Sequence, residues 1–111
     1  MTYAVVLVTA PSAEEAGRIG RALVDEHLAA CANVVPAVAS TYRWQGRVEE
    51  AGEALIILKT RQDLLGRLTE RVKALHSYTV PEVIALPILG GNPDYLRWID
   101  ESVSAGEARR A

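Results

Sequence analysis

Residues 32–60 read ANVVPAVASTYRWQGRVEEAGEALIILKT, and this stretch decides the fold. In its first arm, the side chains are expected to alternate in direction along a strand, so that every second residue from Val34 to Trp44 points to the same side. The QGR tripeptide that follows predicts a hairpin turn. The return strand begins at Val48 and ends in the aliphatic run LIILKT. The stretch therefore predicts a β-hairpin whose arms are unusually long for a small protein.

The sequence before the hairpin predicts one strand and one helix. Residues 3–9 are almost continuously β-branched or aliphatic, which indicates a strand that is covered on both faces. Ser12 and Glu15 have the spacing of a capping box, in which the Glu15 side chain reaches back to the N-cap, and they start a helix predicted over 13–30. Gly20 falls on the apolar face of this helix, where we expect it to allow a close approach to the sheet.

The sequence after the hairpin predicts the same order of elements again. A helix is predicted over 63–76, and a strand near 82–89 follows it. Pro36 follows Thr9 at the same interval at which Pro87 follows Thr60. Strand, helix and strand, repeated once, make the split βαβ unit of the ferredoxin-like fold. The sequence therefore predicts an α+β domain with a four-stranded antiparallel sheet and two helices packed on one face.

Pro36 cannot donate a hydrogen bond to a neighbouring strand, so a bulge or a sheet edge is predicted there. A third helix is predicted to start at Asn92, as N-cap, and Pro93, with an apolar stripe of Leu96, Ile99 and Val103. With 111 residues the chain is expected to form one domain over 1–111, with a frayed tail over about 104–111.

The composition excludes several partners. A net charge of −2 gives no basic excess to neutralise phosphates, so no nucleic-acid partner is expected. The sequence has no apolar run of the ~18 residues that a membrane helix needs, so no membrane partner is expected. The N-terminal segment is predicted to be a strand rather than a signal peptide. Cys31 is the only cysteine, which fits a reducing compartment, and a cytoplasmic location is expected.

No catalysis is expected from the sequence. It contains no P-loop, no GxGxxG and no HExxH motif. His27 and Cys31 fall on one helix face, but we expect His27 to meet free carbonyls at the helix end and Cys31 to be a small buried hydrophobe.

The segment HSYTVPE at 76–82 holds the best candidate for a site. His76 ends the second helix and Glu82 starts the next strand, so their side chains can converge. A histidine with a carboxylate is an incomplete ligand set for a divalent transition metal such as Cu²⁺ or Zn²⁺. The alternative is structural, with His76 capping helix carbonyls and Glu82 pairing with Lys59 or Arg61.

The tip of the hairpin carries Tyr42 and Trp44, which have little of their own domain to pack on. We expect the two aromatic side chains to be buried against another subunit.

Several segments together resemble the CutA divalent-cation-tolerance family. They are VVLVTAPS at 5–12, LVDEHLAACANVVP at 23–36, STYRWQGRVEE at 40–50, LIILKTR at 55–61 and ALHSYTVPEVIALPILGGNPDYLRWI at 74–99. The resemblance implies a ferredoxin-like fold with a long β2–β3 hairpin, assembled as a cytoplasmic homotrimer. It also implies weak binding of, or response to, divalent ions of the copper class, which are not required for folding, and no established enzymatic reaction.

The chain departs from the family's pattern at three positions. Ser77 stands where family members usually have the proline of a His-Pro-Tyr motif, and its loss is expected to leave the loop less constrained. Val8 and Leu75 stand where some copper-binding members carry a cysteine and a second histidine. The resemblance therefore leaves His76 and Glu82 as the expected metal ligands.

A second class of function is also open, because the family resembles the PII signalling proteins in fold and trimer. That likeness implies an inter-subunit cleft for a small anionic ligand or peptide, in which Lys59 and Arg61 would supply charge and Tyr78 a hydroxyl. A third class, acyl-phosphate hydrolysis, is not expected, because TAPSAEE follows the first strand in place of a glycine-rich phosphate loop.

Overall fold

The computed structural model describes residues 2–110, with side chains as far as Ser104. In chain order the elements are β1 (Tyr3–Ala10), α1 (Ala13–Asp25), β2 (Cys31–Trp44), β3 (Arg47–Arg61), a 3₁₀ turn (Gln62–Leu64), α2 (Leu65–Leu75), β4 (Ile84–Pro87) and α3 (Pro93–Arg110). The strands form one antiparallel sheet in the order β2-β3-β1-β4. This arrangement confirms the predicted α+β ferredoxin-like fold. None of the described helices is long and apolar enough to cross a membrane.

The predicted hairpin is confirmed, and it protrudes from the domain. Gln45 and Gly46 close it with φ angles of 50° and 80°, a geometry that suits the twist of the flanking strands. β1 runs beside β3 only as far as Ala54, which pairs with Ala10. The part of β3 before Ala54 therefore has no neighbour on its second edge among the described residues.

Pro36 lies in an irregular part of β2. Val35 pairs with Leu55 and Val38 pairs with Glu53, so two residues of β2 face one residue of β3. The missing N–H of proline is tolerated there because the ladder of hydrogen bonds is already interrupted. The bulge predicted from Pro36 is confirmed.

One face of the sheet packs under α1 and α2, and Gly20 sets how closely α1 approaches it. A Cβ atom at this position would lie 3.0 Å from the Cβ of Ala32 and 3.8 Å from Cγ2 of Ile56. The close approach predicted from Gly20 is confirmed. The core on this face is built from aliphatic residues and includes Val6, Val8, Ile19, Leu23, Ile56, Leu58, Leu68 and Val72.

Gly20→Leu should lower the free energy of unfolding by about 1–3 kcal/mol, because the larger side chain forces α1 away from the sheet. Gly17→Leu is the matched control, since Gly17 lies on the same helix with nothing within 4 Å of its added Cβ. That variant should be unchanged or stabilised by up to about 1 kcal/mol, through helix propensity. Urea unfolding measures both, and equal stability of the two variants would contradict the tight contact.

The predicted ends of the first two helices differ from the observed ones. The first helix was predicted to reach residue 30, but α1 ends at Asp25. His27 has a φ of 59°, which lies outside the right-handed helical region and turns the chain toward β2. The second helix was predicted to start at 63, and a 3₁₀ turn precedes the start of α2 at Leu65.

The last strand also differs from prediction. The strand predicted near 82–89 is only Ile84–Pro87. It starts late because the carbonyl of Thr9, which would continue the ladder, accepts a hydrogen bond from His76. α3 extends as far as Arg110, and fraying of the tail over about 104–111 stays a prediction. Ala111 lies outside the described residues.

Among the described residues, α3 covers the second face of the sheet near the start of β1. There Ile99 and Val103 of α3 pack with Tyr3, and Arg61 is buried in hydrogen bonds to Asp100 and other residues. The remainder, which we call the open face, is formed by aliphatic side chains of three paired strands: Val5, Leu7, Leu55, Ile57, Ile84 and Leu86. The open face is therefore an apolar surface that no described part of the chain covers.

Candidate functional site

His76 is locked into the junction between α2 and β4. Its side chain is 0% exposed. Nε2 lies 2.7 Å from the carbonyl oxygen of Thr9, and Nδ1 lies 3.0 Å from the backbone nitrogen of Tyr78. Because a carbonyl only accepts and a backbone N–H only donates, the ring carries a proton on Nε2 and accepts at Nδ1. Both ring nitrogens are engaged, so this arrangement leaves none for a metal ion.

Glu15 closes the same junction from α1. Its Oε2 accepts hydrogen bonds from the backbone N–H of Ser77 at 3.0 Å and from the Ser77 hydroxyl at 2.9 Å, and it lies 3.4 Å from Nδ1 of His76. The predicted capping box is therefore only half formed. Ser12 Oγ accepts from the backbone nitrogen of Glu15 at 3.1 Å, but the carboxylate of Glu15 turns to the loop.

Ser77 thereby anchors the loop in a way that proline cannot. Both of its bonds to Glu15 use a hydrogen, on the backbone nitrogen and on the hydroxyl, that a proline at this position would lack. These two bonds constrain the loop after His76 in place of the proline ring, while the expectation that the loop is less constrained than one with the family's proline stays a prediction.

The same contacts set the charge state of Glu15. Burial alone would raise the pKa of Glu15, but the two hydrogen bonds from Ser77, with nearby His76 and Arg18, hold this pKa below its ordinary value. Because the pKa of Glu15 is lower in the folded state than in the unfolded state, its ionised carboxylate stabilises the fold. This contribution is fully present above the unfolded-state pKa, about 4.3, and is lost as the pH falls through the folded-state pKa.

Glu15→Gln should therefore remove part of the acid sensitivity of the protein. We expect the stability difference between wild type and variant to be largest near neutral pH, on the order of 1–3 kcal/mol for a hydrogen-bonded charge. The difference should shrink as the pH falls below about 4. Urea unfolding over this pH range measures it, and a difference that stays constant with pH would contradict the role of the ionised carboxylate.

Tyr78 joins the loop to the hairpin. Its hydroxyl donates to Oε2 of Glu53 at 2.8 Å. Burial first, and then the hydrogen bond to Glu53, raise the pKa of Tyr78 well above its ordinary range, so the phenol stays protonated and remains a donor. Glu53 was not predicted as a site residue from the sequence. Its position could have indicated one, because its carboxylate lies on the same side of β3 as the apolar residues Leu55 and Ile57.

A cavity of about 750 Å³ opens between the loop at 77–82 and the protruding part of the hairpin. We call it the loop–hairpin pocket, and its lining includes Ser40, Tyr42, Trp44, Glu53, Tyr78 and Glu82. Its volume lies within the roughly 300–1,000 Å³ that is typical of small-molecule sites. The lining contains two carboxylates and no lysine, arginine or histidine. The pocket is therefore suited to attract cations rather than anions.

The predicted metal ligands are not brought together as a binding site within one chain. His76 is buried and hydrogen-bonded, whereas Glu82 is exposed at the pocket. Among the described residues no three His, Cys, Asp or Glu side chains converge on a metal position. The alternative prediction, in which His76 caps helix carbonyls and Glu82 forms an ion pair, is also not observed. The ring of His76 contacts the carbonyl of Thr9 in β1, and Glu82 forms no ion pair with a described residue.

The residues predicted for an anionic cleft lie apart within one chain. The ammonium group of Lys59 contacts the side chain of Asn33, and Arg61 is buried. Tyr78 instead contacts Glu53, which lies about 20 Å from Lys59 along β3 at about 3.3 Å per residue. A single chain thus presents no basic cleft beside Tyr78.

His27 and Cys31 are engaged separately. Nδ1 of His27 lies 3.0 Å from the carbonyl oxygen of Ser102 in α3, not at a carbonyl of its own helix as predicted. Cys31 begins β2 and is half-buried, so the prediction that it is fully buried is wrong.

The sequence of this chain is similar to those of known proteins. The family model of the CutA1 divalent ion tolerance protein matches residues 4–102. The divalent-cation tolerance protein CutA of Thermus thermophilus is 56% identical over 98 residues, which cover 88% of this chain and 95% of that protein. The chloroplastic protein CutA 1 of Oryza sativa is 53% identical over 98 residues, and the chain spans 55% of its length.

Solved structures match the whole fold. The crystal structure of CutA1 from Oryza sativa superposes with a TM-score of 0.89 at 51% identity, covering 92% of this chain and 94% of that one. The chain belongs to the CutA1 divalent ion tolerance protein family.

Proposed function

We propose that this protein acts in divalent-cation tolerance as a cytoplasmic homotrimer that binds or responds to ions of the copper class, and that it catalyses no reaction. The observation that carries the proposal is family membership, since a relative with 56% identity is named for divalent-cation tolerance. The single cysteine, which has no partner for an intramolecular disulfide, supports a reducing compartment.

The proposed trimer is supported by apolar surface that one chain leaves uncovered. Ile84 and Leu86 of the open face are each 52% exposed. Tyr42 and Trp44 on the hairpin are 44% and 48% exposed. Contiguous apolar surface of this kind is typical of an interface, so we propose that neighbouring copies cover the open face and the hairpin.

The proposed metal binding is weak and uses Glu82 as its accessible ligand in each chain. The contacts of His76 give it a positioning role, because it holds the loop that carries Glu82. Cu²⁺ and Zn²⁺ need more donors than one carboxylate, and we propose that a neighbouring subunit supplies them. The ion is not required for folding in this proposal, because the core is aliphatic and complete without it.

Calorimetric titration of Cu²⁺ and Zn²⁺ tests this proposal. Glu82→Gln should weaken binding by at least about tenfold, since the amide carries no charge for the cation. Glu50→Gln is the matched control, because Glu50 is exposed on the hairpin and does not line the loop–hairpin pocket. Equal heats for wild type and Glu82→Gln, or no heat for wild type, would contradict the proposal.

The alternative of a PII-like trimer with an anionic ligand has no support from the geometry of one chain. The pocket beside Tyr78 is acidic, through Glu53 and Glu82, and a cleft for an anion would need basic side chains from a neighbouring subunit.

A further inference from the structure

We infer that Tyr78 is a positioning residue, which ties the protruding part of the hairpin, residues 38–53, to the loop at 77–82 and so fixes the angle at which the hairpin leaves the domain. This role of Tyr78 does not depend on the proposed metal response. Its consequence for cation binding at Glu82 rests on the proposed function.

The hairpin has a natural hinge at the point where it leaves the sheet. β1 pairs with β3 only as far as Ala54, and the ladder between β2 and β3 is interrupted between Val35 and Val38. A bulge of this kind bends a strand and leaves a residue without a partner in the ladder. A second neighbouring strand and an unbroken ladder, which both stiffen a strand, are therefore missing at the same level of the hairpin.

A hydrogen bond from Tyr78 spans this hinge. Its hydroxyl donates to Oε2 of Glu53 at 2.8 Å, and Glu53 pairs with Val38, the first residue of β2 to be paired after the interruption. Apart from the ladder between its own strands, the protruding part makes no other hydrogen bond or ion pair with residues 2–104. Among polar contacts, the angle of the hairpin therefore depends on this bond.

The end of the tie that lies in the domain is firmly held. The backbone N–H of Tyr78 donates to Nδ1 of His76, and the centroids of the two rings lie 4.6 Å apart. His76 is held in turn by the carbonyl of Thr9, and Ser77 is held by Glu15. Tyr78 therefore transmits the position of a buried junction to the hairpin.

A small change in the angle at the hinge has a large effect at the tip of the hairpin. Trp44 pairs with Arg47, which lies about 20 Å from Glu53 along β3 at about 3.3 Å per residue. A swing of about 10° at Glu53 would move the tip by about 3 Å. Because packed interfaces do not accommodate a shift of this size, Tyr78 sets the hairpin surface that we propose a neighbouring subunit covers.

The same loop also carries Glu82, the proposed cation ligand. A cation bound at Glu82 would order the loop, and Tyr78 would pass this order on to the hairpin. Such a linkage is reciprocal, so an ordered hairpin would also favour cation binding.

Hydrogen exchange of the assembled protein, read by mass spectrometry on peptides from residues 38–53, tests the inference. In chelator, Tyr78→Phe should speed the exchange of these amides by at least about threefold, in keeping with the loss of one hydrogen bond. Tyr95→Phe is the matched control, because it removes a hydroxyl group from α3 that does not line the loop–hairpin pocket. The control should leave the exchange of these peptides unchanged.

Variants of Glu53 separate the hydrogen bond from the charge of the carboxylate. Glu53→Gln keeps an acceptor oxygen for the Tyr78 hydroxyl and should retain most of the protection, whereas Glu53→Leu should match Tyr78→Phe. Because both single variants remove the same bond, the double variant Tyr78→Phe/Glu53→Leu should exchange no faster than either of them.

Addition of Zn²⁺ distinguishes this inference from the proposed function. In wild type we expect Zn²⁺ to slow the exchange of residues 38–53 by at least about twofold, and in Tyr78→Phe to slow only the loop at 77–82. A wild type that gives no heat with Zn²⁺ in calorimetry contradicts the proposed cation binding, and the comparison in chelator then decides the inference.

Three results would overturn the inference. One is exchange of residues 38–53 in chelator that is as slow in Tyr78→Phe as in wild type. Another is equally fast exchange in Glu53→Gln and Glu53→Leu, which would show that the hydrogen bond is not what holds the hairpin. The third is a Zn²⁺ heat with equal protection of the hairpin in wild type and Tyr78→Phe, which would show a route that bypasses Tyr78.

Discussion

Leu86→Asp should convert the assembled protein into monomers and leave the fold of each chain intact. Leu86 pairs with Val5 on the open face and is 52% exposed in the single chain. In the proposed trimer the variant would place three carboxylates among aliphatic side chains. Such an unpaired buried charge costs several kcal/mol, and the leucine's own contribution of about 1.5–3 kcal/mol is lost as well.

Sedimentation velocity measures this outcome directly. We expect wild type to sediment with the mass of a trimer and Leu86→Asp with the mass of one chain, with an unchanged circular dichroism spectrum. Ala74→Asp is the control, since it adds the same charge on the exposed side of α2. A trimeric Leu86→Asp variant, or a monomeric wild type, would show that the open face is not the interface.

The elements with local signals could be predicted from the sequence. The turn at Gln45 and Gly46 needs two positive φ angles, and glycine at the second position accommodates one of them without strain. The bulge at Pro36 follows from the missing N–H of proline. The split βαβ order follows from hydrophobic periodicity, and these three signals together fix the topology.

The ends of elements depend on contacts that are distant in sequence. α1 stops where His27 turns the chain and its ring meets the carbonyl of Ser102 in α3. β4 starts late because His76 occupies the carbonyl of Thr9. Neither contact has a local signal, since periodicity shows which face a side chain takes but not which polar group stands opposite.

The sequence predicted that residues 76–82 connect the second helix to the last strand, but it did not predict the contacts that these residues make. Glu15 has the same capping-box spacing whether its carboxylate returns to the N-cap or reaches Ser77. The partner of Tyr78 is Glu53, which faces it only because β1 ends at Ala10 and leaves room for the loop. The acidic character of the pocket follows from this tertiary arrangement.

His76→Ala should be strongly destabilising, with a loss of about 2–5 kcal/mol in the free energy of unfolding. The variant leaves the carbonyl of Thr9 and the N–H of Tyr78 without their partner, and each unsatisfied buried group costs about 1–3 kcal/mol. His27→Ala is the matched control, because this histidine is partly buried and its ring makes one hydrogen bond among the described residues, to the carbonyl of Ser102. The control should lose only about 1 kcal/mol.

Urea unfolding in the presence of a chelator separates the two roles that His76 could have. A histidine that served as a metal ligand would contribute little to the stability of the metal-free protein, whereas one that positions the loop contributes fully without metal. Because the stability of an oligomer depends on concentration, all variants are compared at the same chain concentration. A His76→Ala variant as stable as wild type in chelator would contradict the hydrogen-bonded role and restore His76 as a metal ligand. If His76→Ala loses stability in the absence of metal, as we expect, then His76 acts by holding the loop. Of the two predicted metal ligands, only Glu82 is then accessible, because the ring of His76 is already bonded to Thr9 and Tyr78.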